Sequence, residues 1–212
     1  MDNNVVNNSC LMLACALYTP INLSSIFDSE DLKDTGIELE SHITLLYAQG
    51  ITVPKDNLME DIEIALGDDF DSFMNLLKNG DIIGENVLET FDLGLFENDS
   101  DYVVLKLKQD TELYTNLKLI NKGLRSKYGV QSEYTYTPHM TLAELNQGTA
   151  KKYTESKKLK AVLENSKFAV EDLIISYGPS NVVEDREKYN LTKFHAVDRF
   201  FREENLKREK MD

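Results

Sequence analysis

One short pattern occurs twice in this chain, and its repetition most constrains the fold. The segment HITL at residues 42–45 recurs as HMTL at residues 139–142. In an extended strand, residues i and i+2 point to the same face. Each segment would therefore present one imidazole and one hydroxyl side by side, while the apolar residues between them face a core. Two such strands, one in each half of the chain, favour a duplicated fold built on sheets.

The polar side chains of the two segments suit phosphate chemistry. Across a cleft, a neutral imidazole from His42 or His139 would take a proton from an attacking hydroxyl, while the other, protonated, would deliver one to the departing oxygen. The hydroxyls of Thr44 and Thr141 would donate hydrogen bonds to the non-bridging phosphate oxygens. This chemistry requires neither a metal nor a cofactor. The alternative is that both histidines are partly buried strand residues satisfied by neighbouring hydroxyls.

Composition indicates one globular unit. The chain has 212 residues, of which 42% are hydrophobic and 28% charged, so it can bury a sizeable core. No linker separates independent domains, and we expect a single domain over residues 1–200 followed by a charged tail at 201–212. The apolar run near the N-terminus is too short to span a membrane and has no positive segment ahead of it. We therefore predict a cytoplasmic protein without an anchor or a signal peptide.

The cysteines and the third histidine have no predicted catalytic role. Cys10 and Cys15 lie in the apolar run at an odd spacing, which puts them on opposite faces of a strand and predicts buried free thiols. No Cys/His cluster supplies a usual zinc ligand set, so we predict no metal site. His195 has Val197 where the motif requires threonine, and we expect it to be structural or peripheral.

Charge is distributed unevenly along the chain. The net charge is −14, and residues 26–112 contain 22 Asp or Glu against 5 Lys, which gives −17 for this stretch and +3 for the rest. A long polyanion would be repelled by the acidic half, because nucleic-acid affinity comes largely from neutralising many phosphates. We therefore expect a small ligand with few phosphates in an enclosed site, and neither long nucleic acid nor a membrane as partner.

Helix and strand signals recur in a similar order in each half. The predicted strands are residues 10–18, 36–49, 134–145, 168–177 and about 191–200, together with a hairpin that starts near residue 87 and turns at 98–100. The predicted helices are residues 56–66, 70–78, a helix capped by Thr111 and ended by Gly129, and a basic helix from residue 148 or 149 to 163. Both motif segments lie on strands.

These segments resemble the paired signatures of the 2H phosphoesterase superfamily, in which His-x-Thr/Ser-x, with x apolar, occurs once in each half of a duplicated fold. The order of elements between residues 10 and 199 is similar as well. The resemblance implies a bilobal α/β (α+β) fold, in which two antiparallel sheets form a V-shaped cleft and helices pack outside. It also implies that His42 and His139 are general acid and base, and that Thr44 and Thr141 bind the substrate phosphate.

Within the superfamily, the chain is most similar to phage anti-CBASS nucleases, which destroy cyclic oligonucleotide messengers. The likeness rests on HITLLYA after an apolar strand, on TPHMTLAEL and on HAVDRFF near the end. It implies a metal-independent phosphodiesterase of cyclic di- or trinucleotides, acting by 2′-hydroxyl attack through a 2′,3′-cyclic phosphate. The spacing between the motifs is longer here, with the acidic residues 56–79 as an insertion, and this bears on the substrate more than on the chemistry.

Two other functions stay open. A 2′,3′-cyclic phosphodiesterase or 2′-5′ oligonucleotide phosphodiesterase, acting on RNA ends or small nucleotides, would use the same four residues. A non-catalytic nucleotide sponge would not require both proton-transfer groups.

Aromatic and acidic residues near the motifs are candidates for contacts with a nucleobase. Tyr18 ends the first strand, where its ring would stack on a base. Glu144 follows the second motif, where its carboxylate would accept a hydrogen bond from a base edge. The alternative is that Tyr18 is an ordinary strand aromatic and Glu144 a solvated carboxylate. We expect Tyr47 and Tyr134 to be ordinary strand aromatics.

Overall fold

A computed structural model describes residues 7–80, 82–179 and 186–192 of the chain. Most of the strand predicted at residues 191–200 lies outside these ranges, as do His195 and the charged tail. The single domain over residues 1–200 therefore stays a prediction.

Eight strands and six α-helices are found in the described residues. The strands are β1 (Asn8–Tyr18), β2 (Leu32–Ile37), β3 (His42–Ala48), β4 (Phe91–Glu97), β5 (Asp101–Leu107), β6 (His139–Leu145), β7 (Lys167–Gly178) and β8 (Glu187–Asn190). The helices are α1 (Leu58–Leu66), α2 (Phe70–Asn79), α3 (Val87–Thr90), α4 (Glu112–Tyr128), α5 (Lys151–Thr154) and α6 (Lys157–Glu164). Two short 3-10 helices occur at Leu23–Ser25 and Gly67–Asp69.

All eight described strands join one antiparallel sheet, so the fold is a mixed α+β fold with a large sheet and several helices. Its order is β4-β5-β6-β3-β1-β7-β8, and β2 pairs with β6. The two motif strands, β3 and β6, are neighbours that pair at Ile43 and Met140. This pairing joins the strands into one sheet where the resemblance implied two. The V-shaped cleft and the duplicated, bilobal arrangement stay predictions.

Helix α4 illustrates how the sequence determines the elements beneath the sheet. Its hydroxyl-bearing N-cap, Thr111, accepts a hydrogen bond from the Tyr114 N–H, and the helix ends at Gly129 in the left-handed conformation with φ of 67°. Both boundaries are confirmed. The helix packs against α1 and β3, and it buries an apolar stripe of Leu113, Leu117, Ile120 and Leu124.

Several predicted elements differ from the structure. Residues 36–49 form two strands, because residues 38–41 turn between β2 and β3. Residues 87–90 are the short helix α3 instead of a strand, because the Asn86 side chain caps two N–H groups of that helix. The basic helix divides into α5 and α6, because Ser156 caps a new helix. Residues 134–138 precede β6 without strand structure, and Pro138 has no N–H to donate to a ladder.

Candidate active site

The four motif residues come together on one face of the sheet, around the pair that joins β3 to β6. Ile43 and Met140 are fully buried on the opposite, core face. Antiparallel register on either side of this pair puts His42 across from Thr141, and Thr44 across from His139. All four of these side chains are half-buried. Each histidine therefore faces the threonine of the other motif.

A β-bulge follows the threonine in each motif strand. The extra residue is Leu45 in the pairing of β3 with β1, and Leu142 in the pairing of β6 with β5. Both strands consequently have the same pattern of buried and half-buried positions over all seven residues. Bulges change the direction of the side chains that follow them. Here they bring Tyr47 and Glu144 to equivalent positions on the face of the motif residues.

Each histidine is oriented by the backbone two residues before it. The Nδ1 atom of His42 lies 2.7 Å from the Glu40 carbonyl oxygen, and that of His139 lies 2.8 Å from the Thr137 carbonyl oxygen. A carbonyl oxygen only accepts hydrogen bonds, so Nδ1 carries the hydrogen in both rings. Nε2 is therefore the atom that gains or loses a proton in each ring, as general acid–base catalysis requires.

Strands β4 and β5 add an aromatic ring and a cation beside His139. The Phe96 ring meets the imidazole edge-on, with centroids 4.8 Å apart and an interplanar angle of 83°. The Lys106 ammonium lies 4.4 Å from the centroid of the same Phe96 ring and donates to the Leu95 carbonyl at 3.0 Å. Gly94 makes room for this lysine, because an added Cβ there would lie 3.1 Å from Lys106 Cε.

These surroundings favour the neutral form of His139. Burial lowers the pKa of His139 below its ordinary value, and the nearby positive charges of His42 and Lys106 lower this pKa further. The hydrogen bond to the Thr137 carbonyl acts in the opposite direction and offsets part of the effect. In the neutral form, Nε2 of His139 is available to accept a proton.

Lys106→Met is expected to move the acidic limb of the pH dependence of kcat/KM to higher pH. Removing the cation raises the pKa of His139 from its depressed value, so the ring loses its proton only at a higher pH. The comparison uses Lys108→Met, whose ammonium instead donates to the Leu88 carbonyl. An acidic limb that stays in place, or moves to lower pH, would contradict the view that His139 is the group that accepts the proton and that Lys106 lowers its pKa.

Two cavities border the motif residues in the part of the chain that the structure describes. The larger has a volume of about 890 Å³ and is lined by Thr44, His139 and Thr141 among others. The smaller has a volume of about 470 Å³ and is lined by His42. The linings of the two cavities adjoin at the motif residues, because His42 lies across from Thr141.

The candidate base contacts lie near this border. Tyr18 lines the smaller cavity with His42. Glu144 lies on the motif face and accepts a hydrogen bond of 3.1 Å from the Tyr102 hydroxyl, and Tyr102 lines the larger cavity. Contact of Tyr18 or Glu144 with a base stays a prediction. Tyr47 and Tyr134 both line the larger cavity. The expectation that they are ordinary aromatics without a base contact stays a prediction.

Arg186 is a residue of the motif face that sequence reasoning missed. Its guanidinium carbon lies 5.2 Å from the centroid of the Tyr47 ring, and the residue is only 6% exposed. Burial raises the pKa of the nearby Cys10 thiol, while the Arg186 charge and a hydrogen bond with Thr44 counteract part of that rise. Arg186 thus brings a buried positive charge beside the residues that surround Thr44. No motif or spacing in the sequence signals it.

Other expectations concern metals, thiols and membranes. In the described ranges, no three His, Cys, Asp or Glu side chains are grouped so that they could hold a metal ion. Cys10 and Cys15 are both buried, as predicted. Among the described helices, none has the length and apolar character needed to cross a membrane.

Comparison with known proteins gives matches to solved structures at low sequence identity. No protein-family model matches the chain, and no curated protein matches it in sequence. The chain is similar to a solved structure of Usb1 from Kluyveromyces marxianus, at 12% identity and a TM-score of 0.43. It is also similar to the structure of that Usb1 with uridine monophosphate, at 11% identity and a TM-score of 0.38. Each match covers 88% of this chain and 98% of the Usb1 chain.

Proposed function

We propose that the chain is a phosphodiesterase of the 2H type that cleaves small nucleotides without a metal. One observation carries the proposal: two histidine–threonine pairs meet around the Ile43–Met140 pair, and both imidazoles are held by Nδ1 so that Nε2 is the titrating atom. A pair of oriented imidazoles beside hydroxyl donors is suited to proton transfer at a phosphate. The resemblance to the 2H superfamily, with its bilobal, duplicated fold, agrees with this chemistry.

In the first step, Nε2 of His139 accepts the proton of a ribose 2′-hydroxyl, and the 2′-oxygen attacks the adjacent phosphorus. The bond from phosphorus to the 5′-oxygen breaks, and His42 gives its Nε2 proton to that oxygen. The products are a 2′,3′-cyclic phosphate and a free 5′-hydroxyl. Thr44 and Thr141 donate hydrogen bonds to the non-bridging oxygens, whose charge grows in the transition state.

In the second step, the histidines exchange roles. The now neutral His42 accepts a proton from water as the water oxygen attacks phosphorus. The bond from phosphorus to one ribose oxygen breaks, and the protonated His139 returns its proton to that oxygen. The rings end in their starting protonation states, so the cycle needs no other proton donor.

Cyclic di- or trinucleotide messengers are the substrates we propose, which would make the protein a phage counter-defence enzyme of the anti-CBASS kind. The larger cavity, at about 890 Å³, lies in the upper part of the usual range of ligand sites. The strongly acidic residues 26–112 disfavour a long polyanion. A small, compact nucleotide with few phosphates suits both features.

Cleavage of 2′,3′-cyclic phosphates or 2′-5′ links, at RNA ends or in small nucleotides, is the second candidate. The observation in its favour is that His139, Thr44 and Thr141 line one cavity together. A single nucleoside with its phosphate would therefore meet three of the four motif residues without using the smaller cavity.

Product chromatography tests the proposal. The purified protein is incubated in EDTA with cyclic di- and trinucleotides, 2′-5′ oligoadenylate and 2′,3′-cyclic mononucleotides, beside the His42→Ala/His139→Ala double variant. Cleavage of cyclic oligonucleotides by the wild type alone would support the messenger-destroying enzyme. Activity confined to 2′,3′-cyclic ends would support the second candidate. Tight binding without turnover would refute both and leave a nucleotide sponge.

A further inference from the structure

We propose that the two cavities hold the two nucleosides on either side of the scissile phosphate. The larger takes the nucleoside whose 2′-hydroxyl attacks, and the smaller takes the leaving nucleoside. This assignment rests on the proposed phosphodiesterase activity and specifies its substrate as an internal phosphodiester, with a sugar and a base on both sides.

The distribution of the motif residues is the first support. His139, Thr44 and Thr141 line the larger cavity, while His42 lines the smaller. A phosphate held by both threonines would lie at the border, with its two ester oxygens directed to opposite sides. The group leaving on the His42 side must then occupy the smaller cavity, beside the imidazole that protonates its oxygen.

The smaller cavity has a surface suited to a planar base. Met12, Ala14 and Ala16 alternate along β1, so all three present apolar side chains to one face. The short alanine side chains leave open space above this face of β1. Ala14 is directly paired with His42 across the β1–β3 ladder. Tyr18 continues the same strand to the edge of the cavity. A base resting on these side chains would contact apolar groups.

Each cavity is lined in part by a strongly exposed apolar side chain. Among the described residues, the two most exposed large hydrophobic residues are Leu39 at 87% and Tyr134 at 79%. Leu39 lines the smaller cavity and Tyr134 lines the larger. Exposed apolar surface that borders a concave site gains free energy when a ligand covers it. The presence of one such residue on each side agrees with two bound nucleosides.

An ion pair forms part of the wall of the smaller cavity, and one of its residues also orients His42. Lys188 of β8 is paired with the Glu40 carboxylate, and both residues line this cavity. The backbone carbonyl of Glu40 is the same group that accepts the Nδ1 hydrogen of His42. The pair thus connects the loop before β3 to the far edge of the sheet. The ion pair therefore fixes the position of the cavity wall relative to His42, the proposed proton donor.

Ala14→Leu tests the assignment by filling the smaller cavity. It is expected to lower kcat/KM for the best cyclic dinucleotide by about 10-fold or more, as a mismatch of pocket volume does. Hydrolysis of the matching nucleoside 2′,3′-cyclic phosphate should change by less than about 2-fold, because that substrate has no leaving nucleoside. Ala161→Leu, on the exposed side of α6, is the matched control and should alter neither activity.

Two further variants keep the test decisive. Leu39→Ser, at an exposed position that disturbs no core, should raise KM for the dinucleotide alone. Tyr134→Ala should weaken the binding of both substrates, because both occupy the larger cavity. Equal effects of Ala14→Leu and Leu39→Ser on both substrates, or no effect on either, would overturn the assignment. Wild-type activity on the cyclic mononucleotide alone would overturn it but leave the phosphodiesterase standing, whereas a wild type inactive on every substrate would refute the proposed function itself.

Discussion

Replacement of His42 or of His139 by alanine is expected to lower turnover of the best nucleotide substrate by about 100- to 10,000-fold. Each ring supplies one of two proton transfers that occur together with bond making and bond breaking at phosphorus. Water can replace either ring only inefficiently, because it is neither oriented nor matched in pKa. Single-turnover rates, measured at saturating enzyme, report this chemical step without the contribution of product release.

The double variant gives a sharper result than either single one. Because the two rings act as a unit, removing both should cost little more than removing one. His195→Ala is the matched control, since this histidine has no motif threonine beside it in the sequence, and it should retain wild-type turnover. Loss of activity in His42→Ala with retention in His139→Ala would contradict the scheme.

The placement of each histidine and threonine on one strand face could be predicted from the sequence, because alternation along a strand is a local property. His42 and Thr44 share a face because they are two residues apart, and the same holds for the second motif. The turn at residues 98–100 and the cap at Thr111 are equally local, and both are found. What depends on neighbours in sequence could therefore be predicted.

The rest of the site depends on partners distant in the chain. Tyr47 is three residues after Thr44, so simple alternation assigns it to the core face, and only the bulge against β1 reverses that assignment. The joining of β3 to β6 at one residue pair likewise has no local signal. Arg186, which directly precedes the edge strand β8, reaches Tyr47 on the central strand β3. A single sequence contains none of these long-range pairings.

Lys127→Met is expected to lower the free energy of unfolding by about 3 kcal/mol, the cost of leaving a buried carboxylate without its cation. The carboxylate is Asp61 of α1, which is 4% exposed and accepts hydrogen bonds from Lys127 and from the Tyr128 hydroxyl at the end of α4. The Lys127 side chain is 49% exposed, and screening by solvent keeps the expected cost at the lower end for buried pairs. Urea unfolding measures it.

Two comparisons separate the ion pair from a general loss of charge. Lys122→Met removes a lysine from an exposed position of the same helix and should change stability by less than about 0.5 kcal/mol. Adding Asp61→Leu to Lys127→Met removes the stranded carboxylate and should restore most of the lost stability. If Lys127→Met unfolds at the same urea concentration as Lys122→Met, the Tyr128 hydroxyl alone satisfies Asp61. Because the residues after α4 line the larger cavity, loosening this end of the helix should also weaken substrate binding there.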